Sequence, residues 1–115
     1  MRRGRESTIE KDVRDYMLSR GGFFPKSVSP GNKGWPDRNP SHPFCGPFYM
    51  ELKRPGKYAE ALQLDVAQEM AKYGYRVYTS VNSLRMAKEI IDDEIDGVPP
   101  SERRHQPVRP KNVSP

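Results

Sequence analysis

The run Phe48-Tyr49-Met50 leads directly into Glu51-Leu52-Lys53, and this junction restricts the fold more than any other segment. An apolar strand that ends in an acid and a base reads as a strand leaving a core and entering a cleft. Residues two apart on a strand share a face, so Glu51 and Lys53 project together. Gly46 to Lys53 is therefore expected as a strand. Ala59 to Tyr73 follows as a helix, with Leu62, Val66, Met70 and Tyr73 on one stripe and Gly74 as its stop. Tyr75 to Val81 is β-rich and predicts a second strand. Together these segments make a β-α-β unit, whose crossover should be right-handed.

Upstream, residues 7–20 read as an amphipathic helix with Ile9, Val13, Tyr16 and Met17 on one face. Ser7 and Glu10 are spaced as a capping box, and Gly21-Gly22 is a stop signal. Phe23 to Val28 predicts a short strand, and Ser29 to Pro36 a loop built of turn residues. After Asp37, Pro40 and Pro43 leave room only for a strand that is brief, at an edge or broken. Ser83 caps a third helix that buries Leu84, Ala87, Ile91 and Ile95. From Gly97 onward, Pro99, Pro100, Pro107, Pro110 and Pro115 stand among charged residues, a composition that predicts a disordered tail. The expected order is α-β-β-β-α-β-α: an α/β domain over 1–96 with a small mixed sheet flanked by helices, then a tail over 97–115.

Length and composition narrow the chemistry. A chain of 115 residues makes one domain, large enough for a moderate core without disulfides or structural zinc. Cys45 is the single cysteine, so no intrachain disulfide forms and a reducing compartment is the default. With His42 and His105 the only histidines, a tetrahedral zinc site is nearly excluded. No apolar run approaches a membrane span and no signal peptide is evident. The net charge of +5 suits a polyanionic partner. Basic residues gather at Arg2, Arg3 and Arg5, at Lys53, Arg54 and Lys57, and at Arg103, Arg104, Arg109 and Lys111. Glu89, Asp92, Asp93, Glu94 and Asp96 are expected to form one acidic face remote from the basic site.

Asp37 follows Gly34-Trp35-Pro36, fourteen positions ahead of Glu51. Asp37 and Glu51 can converge on one hard cation, which takes one or two carboxylates plus waters and substrate phosphate oxygens. The Leu52 carbonyl is a further oxygen such an ion accepts. Lys53 would set a positive charge beside the attacking water and the phosphate, which points to hydrolysis of a DNA strand. Each residue also has a plainer reading. Asp37 fits a turn, Glu51 and Lys53 a surface ion pair, Glu10 a cap, and Gln63 a polar helix flank. Lys26 and Lys33 would be phosphate contacts, as would Arg54 and Lys57, and Trp35 reads as core.

The order of these pieces resembles the PD-(D/E)xK nuclease superfamily. They are a helix with Glu10, Gly34-Trp35-Pro36-Asp37, an apolar strand ending Glu51-Leu52-Lys53, and Gln63 in the next helix. Within that superfamily the chain resembles the VRR-NUC domains over about Ser7 to Val81. The resemblance implies a restriction-endonuclease-like fold and one or two Mg²⁺ or Mn²⁺ ions. It places Glu10 in the site as a second-metal ligand or water-positioning carboxylate, and Gln63 as an orienter of Lys53 or water. It also implies a homodimer acting on branched DNA such as four-way (Holliday) junctions, and, where phage-encoded, the cytoplasm of a bacterial host. The chain departs from the family pattern at 38–46, where an apolar strand is usual. Apolar positions 84, 87, 90, 91 and 95, with Tyr16, Tyr58, Tyr73, Tyr75 and Tyr78, are the surface expected to serve a dimer. Two other functions compete, a sequence-specific restriction-type nuclease and a non-catalytic DNA-binding module.

Overall fold

The computed structural model describes residues 8–111. Arg2, Arg3, Arg5 and the Ser7 cap lie outside the described residues, as do positions 112–115. Helix α1 covers Thr8–Ser19 and buries Val13 and Met17. Strands β1 (Ser41–His42) and β2 (Gly46–Pro47) form an antiparallel hairpin. Strand β3 (Tyr49–Leu52) pairs in parallel with β4 (Val77–Val81), across helix α2 (Ala61–Lys72). Helix α3 (Leu84–Ile95) follows, and a 3₁₀ turn spans Pro100–Glu102. This is a small mixed α/β domain, and the parallel pairing matches the expected β-α-β unit.

Alternation along β3 and β4 sorts their side chains onto two faces. Met50, Leu52, Tyr78 and Val81 pack with Val13 and Met17 of α1 and with Ala87, Ile90, Ile91 and Ile95 of α3. The opposite face is thinner, with Val77 and Tyr49 against Ala67 and Met70 of α2 and against Trp35. Trp35 meets Tyr49 and Tyr75 edge-on and donates its indole N–H to Ser27 Oγ at 2.8 Å, so it is a packing residue as expected. Gly34 adopts φ +84°, and a Cβ there would stand 3.1 Å from the Leu62 carbonyl oxygen. The loop carrying Asp37 can therefore approach α2 only with glycine at this position.

The antiparallel half of the sheet is more fragmentary than expected. Phe23–Val28 contributes only isolated bridges, Phe23 to Ser41 and Lys26 to Arg38, and Arg38 bridges to Met50. Pro25 and Pro40 have no N–H to give a ladder, so pairing reduces to single bridges between them. The expected strand Gly46–Lys53 is split as well. The Phe48 N–H donates to the Pro40 carbonyl at 2.9 Å in the hairpin's own register, but Pro40 has no N–H to return the bond, and the ladder is interrupted between β2 and β3. The α2 stripe is also less buried than its periodicity implies. Ala67 and Met70 are buried, but Leu62 and Tyr73 are exposed.

The segment after Gly97 is not a loose tail within the described residues. The Val108 N–H donates to the Val77 carbonyl at 2.8 Å, adding a contact at the edge of β4. Arg103 donates to Glu94 Oε2 at 2.9 Å and Arg104 to Asp93 Oδ1 at 2.7 Å. His105 Nε2 lies 2.8 Å from Glu89 Oε1. The α3 carboxylates are thus neutralised internally instead of forming a free acidic face, and Arg20 does the same for Asp92 and Asp96. Glu94 is the centre of this network, receiving Arg76, Arg103 and the Tyr78 hydroxyl while its side chain is buried. The α3 apolar stripe is consumed by the monomer's own core, which removes it from the surface expected to serve a dimer.

Arg103→Ala leaves Glu94 buried with one charged partner fewer. It should cost about 1.5–3 kcal/mol of stability, the range for a hydrogen bond to a charged group. Urea or thermal unfolding measures this, and a variant as stable as the parent would mean that the segment after Gly97 does not hold the fold.

Candidate active site

Asp37 reaches the sheet through backbone pairing next door. Arg38 exchanges backbone hydrogen bonds with Met50 in both directions, at 3.1 and 3.0 Å. That pairing brings the Asp37 carboxylate alongside β3, where Oδ1 accepts from the Leu52 N–H at 3.2 Å. Glu51 and Lys53 project together as expected, with Nζ 3.9 Å from Glu51 Oε2. Asp37, Leu52 and Lys53 line one cleft of about 430 Å³ with Glu10, Arg54 and Lys57. The structure therefore brings together seven of the ten residues singled out in the sequence, counting Glu51 beside Lys53. Lys26 and Lys33 are exposed elsewhere and do not line the cleft. Gln63 does not line it either, because its side-chain oxygen accepts from the Glu60 N–H at 2.9 Å and closes the α2 N-terminus.

The β3–β4 ladder is irregular where it meets Glu51. Met50 pairs with Tyr78 but Leu52 pairs with Val81, so Thr79 and Ser80 both stand opposite Glu51. Ser80 absorbs the extra residue with φ +58°, the one positive value at a non-glycine position among the described residues. Such bulges redirect side chains and concentrate at functional sites. The Ser80 hydroxyl accepts from the Ala59 N–H at 2.8 Å, and Asn82 Nδ2 donates to the Lys57 carbonyl at 2.8 Å. The loop between β3 and α2 is pinned over the site by these two bonds. No sequence signal marks Ser80, since a strained serine inside a β-rich run looks ordinary.

Glu51 is the electrostatic anomaly. The residue is 3% exposed, yet both carboxylate oxygens are buried without a hydrogen-bond partner. The Ser80 backbone N–H lies near enough to favour the anion, but not in hydrogen-bond geometry. Burial pushes the Glu51 carboxyl above its ordinary range, Lys53 opposes that shift, and Asp37 and Glu60 add to it. Burial likewise raises Asp37; the Leu52 N–H lowers it and Glu10 raises it again. Desolvation is the largest cause of both shifts, ahead of repulsion among the acids. Glu10 sits in the first turn of α1, with Oε2 3.4 Å from the Arg38 guanidinium.

A buried carboxylate with two unused oxygens is costly unless something else satisfies it. The donor set suits a hard cation that binds few protein groups and keeps its waters, as Mg²⁺ does. No three Asp, Glu, His or Cys side chains among the described residues form a closed metal cage. Asp37 and Glu51 are the two carboxylates here that would contribute to such a hard-cation site, with water completing it.

These shifts have a consequence for stability. Both carboxyls hold protons more tightly folded than unfolded, so the folded state loses stability as pH rises through the interval between the two values. Asp37→Asn and Glu51→Gln remove that penalty. Each variant should melt a few degrees above the parent at pH 7 without divalent ions, and the gain should vanish below about pH 4, where both states are protonated. Thermal melts across pH check this; a parent that melts higher at pH 7 contradicts it.

No family model matches the chain. The chain is 35% identical over 77 residues to a protein of Acyrthosiphon pisum secondary endosymbiont phage 1 named "Putative nuclease p44". The alignment covers 67% of this chain and 83% of that protein. At that identity and coverage, the chain belongs to the same family as this phage protein.

Proposed function

We propose that the chain is an Mg²⁺- or Mn²⁺-dependent endodeoxyribonuclease of the PD-(D/E)xK type, of the VRR-NUC kind, acting on branched DNA. The observation that carries this reading is the buried Glu51 carboxylate, without a hydrogen-bond partner and near Asp37, behind a cleft lined by Asp37, Lys53, Arg54 and Lys57. The name of the phage relative supports nucleic-acid hydrolysis. A pure DNA-binding module has no use for acids where phosphate must sit, because they repel it. A domain this small also leaves little room for elements that read base edges, which disfavours the restriction-type alternative.

Asp37 and Glu51 would hold the ion, with the Leu52 carbonyl as a further ligand and Glu10 serving a second ion or positioning water. A bound divalent cation supplies charge neutralisation at the phosphate and a more acidic water. Lys53, on the same wall as Glu51, donates toward the oxygen on which negative charge develops. Arg54 and Lys57 bind flanking backbone phosphates and fix the strand in the cleft. Arg38 braces Glu10 through its guanidinium, so Glu10 keeps its direction without substrate. Gln63 acts indirectly, by fixing the start of α2 beneath the Tyr58–Glu60 rim. Lys26 and Lys33, outside the cleft, are left with a peripheral part on a longer DNA arm. A reaction of this kind belongs in the cytoplasm, that of the bacterial host for a phage-encoded protein.

Asp37→Ala, Glu51→Ala and Lys53→Ala should each lower cleavage of a labelled four-way junction in Mg²⁺ by about 100-fold or more, the scale of losing a transition-state donor. Asp37→Ala and Glu51→Ala should bind DNA at least as tightly as the parent. Parent-level cleavage by all three variants would overturn the site. Glu10→Gln sorts its two roles: lost cleavage with an unchanged melting temperature keeps Glu10 in the site.

The homodimer is part of the same proposal, since two opposed cuts across a junction match a two-fold pair of sites. With α3 buried in the core, the surface that supports a dimer moves to Leu62, Tyr73 and Tyr75, which are all exposed. Light scattering at micromolar protein should give twice the 13.2 kDa chain mass. A stable monomer with and without junction DNA would leave a single-strand nickase.

A further inference from the structure

Tyr58 stands on the rim of the acidic cleft and is 69% exposed. An aromatic ring this exposed usually sits on a loop free to fold it away, and this loop is not free. On one side of Tyr58 the Lys57 carbonyl accepts from Asn82, and on the other the Ala59 N–H donates to Ser80 Oγ, both at 2.8 Å. The Lys57 N–H also donates to the Arg54 carbonyl at 3.0 Å, closing the turn that contains Gly56 at φ +79°. The backbone is thus clamped on both flanks of a ring that has no aromatic partner of its own among the described residues. Lys57 precedes it and Arg54 lies on the same lining, so phosphate contacts and a π-face are presented together.

We propose that Tyr58 stacks on an unpaired nucleobase next to the bond that is cut, and so selects DNA with a single-stranded nucleotide at that place. The inference rests on the nuclease reading of the cleft and adds a substrate feature to it. Bases inside a duplex have both faces covered by neighbours, so a ring on this pinned backbone can stack only where a base is unstacked or splayed. Base-aromatic stacking tolerates any base, because each offers a π-face, and this suits selection by structure and not by sequence. The clamped loop matters because a backbone already held in place loses little freedom on binding.

Two DNAs test this, a splayed-arm duplex with 2-aminopurine as the first unpaired base and a blunt duplex with 2-aminopurine inside. Ca²⁺ replaces Mg²⁺ so that binding is read without cutting. The full-length chain and Tyr58→Phe should quench the splayed-arm fluorophore on binding, and Tyr58→Ala should not. Tyr58→Ala should weaken splayed-arm binding about ten-fold and leave the blunt duplex within two-fold. An intact quench in Tyr58→Ala, or equal weakening on both DNAs, overturns the proposal. So does an Ala variant that changes only the oligomeric state. Cleavage in Mg²⁺ is scored separately. A parent that quenches but never cuts supports the stacking and overturns the hydrolytic reading; a parent that cuts while Tyr58→Ala binds normally does the reverse.

Discussion

Between the Met50–Tyr78 and Leu52–Val81 pairs, the β3–β4 ladder must absorb one extra residue on β4, and Ser80 does so in a left-handed conformation. A regular parallel ladder would offer Glu51 an ordinary neighbour and would draw the next loop away along the strand. The bulge stands opposite Glu51, whose oxygens have no hydrogen-bond partner, and turns the Ser80 hydroxyl to the Ala59 N–H. One local irregularity therefore lies beside the unsatisfied acid and also holds the loop that roofs it. Strain of this kind, of order 1–3 kcal/mol, persists only where the surroundings over-determine it. Here the surroundings are α3, capped directly after the bulge by Ser83, and a continuous core beneath Val81.

The two ends of the molecule treat charge in opposite ways. At the α3 end, Glu94 and Asp93 are buried but satisfied by Arg76, Arg103, Arg104 and Tyr78, and a half-satisfied network there would only weaken the fold. At the cleft, Glu51 is equally buried and left open. The contrast separates a structural acid from a candidate functional one more sharply than burial can, since burial is nearly the same for both. It also explains why removing the Asp37 or Glu51 charge should raise stability while removing the Arg103 charge should lower it.

The sequence is legible where local pattern and tertiary contact agree. The β3-α2-β4 unit, the Ser83 cap and the pairing of Glu51 with Lys53 all follow from periods of two and 3.6 and from one cap residue. The same pattern brought Asp37 to Glu51, because a carboxylate held beside Met50 and Leu52 by one bridge needs no long strand. The 23–47 region was not legible to that degree. Its pairing passes through single bridges set by which residues lack an N–H, and such bridges leave no periodicity. The segment after Gly97 misleads for a different reason. It is held by arginines that reach carboxylates on α3, and composition scores arginines as solvated. Gln63 shows the limit of position alone: Glu60-x-x-Gln63 is itself a capping pattern, and the structure uses it as one.

The cleft's remaining asymmetry lies in what covers it. Glu10 comes from α1, Asp37 from the loop that Gly34 presses against α2, Glu51 and Lys53 from β3, and Tyr58 from the clamped turn. No single element carries more than two of these groups, so their relation depends on the core between α1, α3 and the sheet, and on the thinner contact with α2. Val77 and Tyr49 hold α2 with few buried partners, and Leu62 and Tyr73 on α2 remain exposed. The thinner face is the side from which a partner subunit or a DNA arm could add contacts at least cost to the core. Glu51 shares its strand face with Tyr49, on the α2 side, while Glu10 comes from α1 on the well-packed side, so the cleft draws its acids from both faces of the sheet and Tyr58 lines the same cleft.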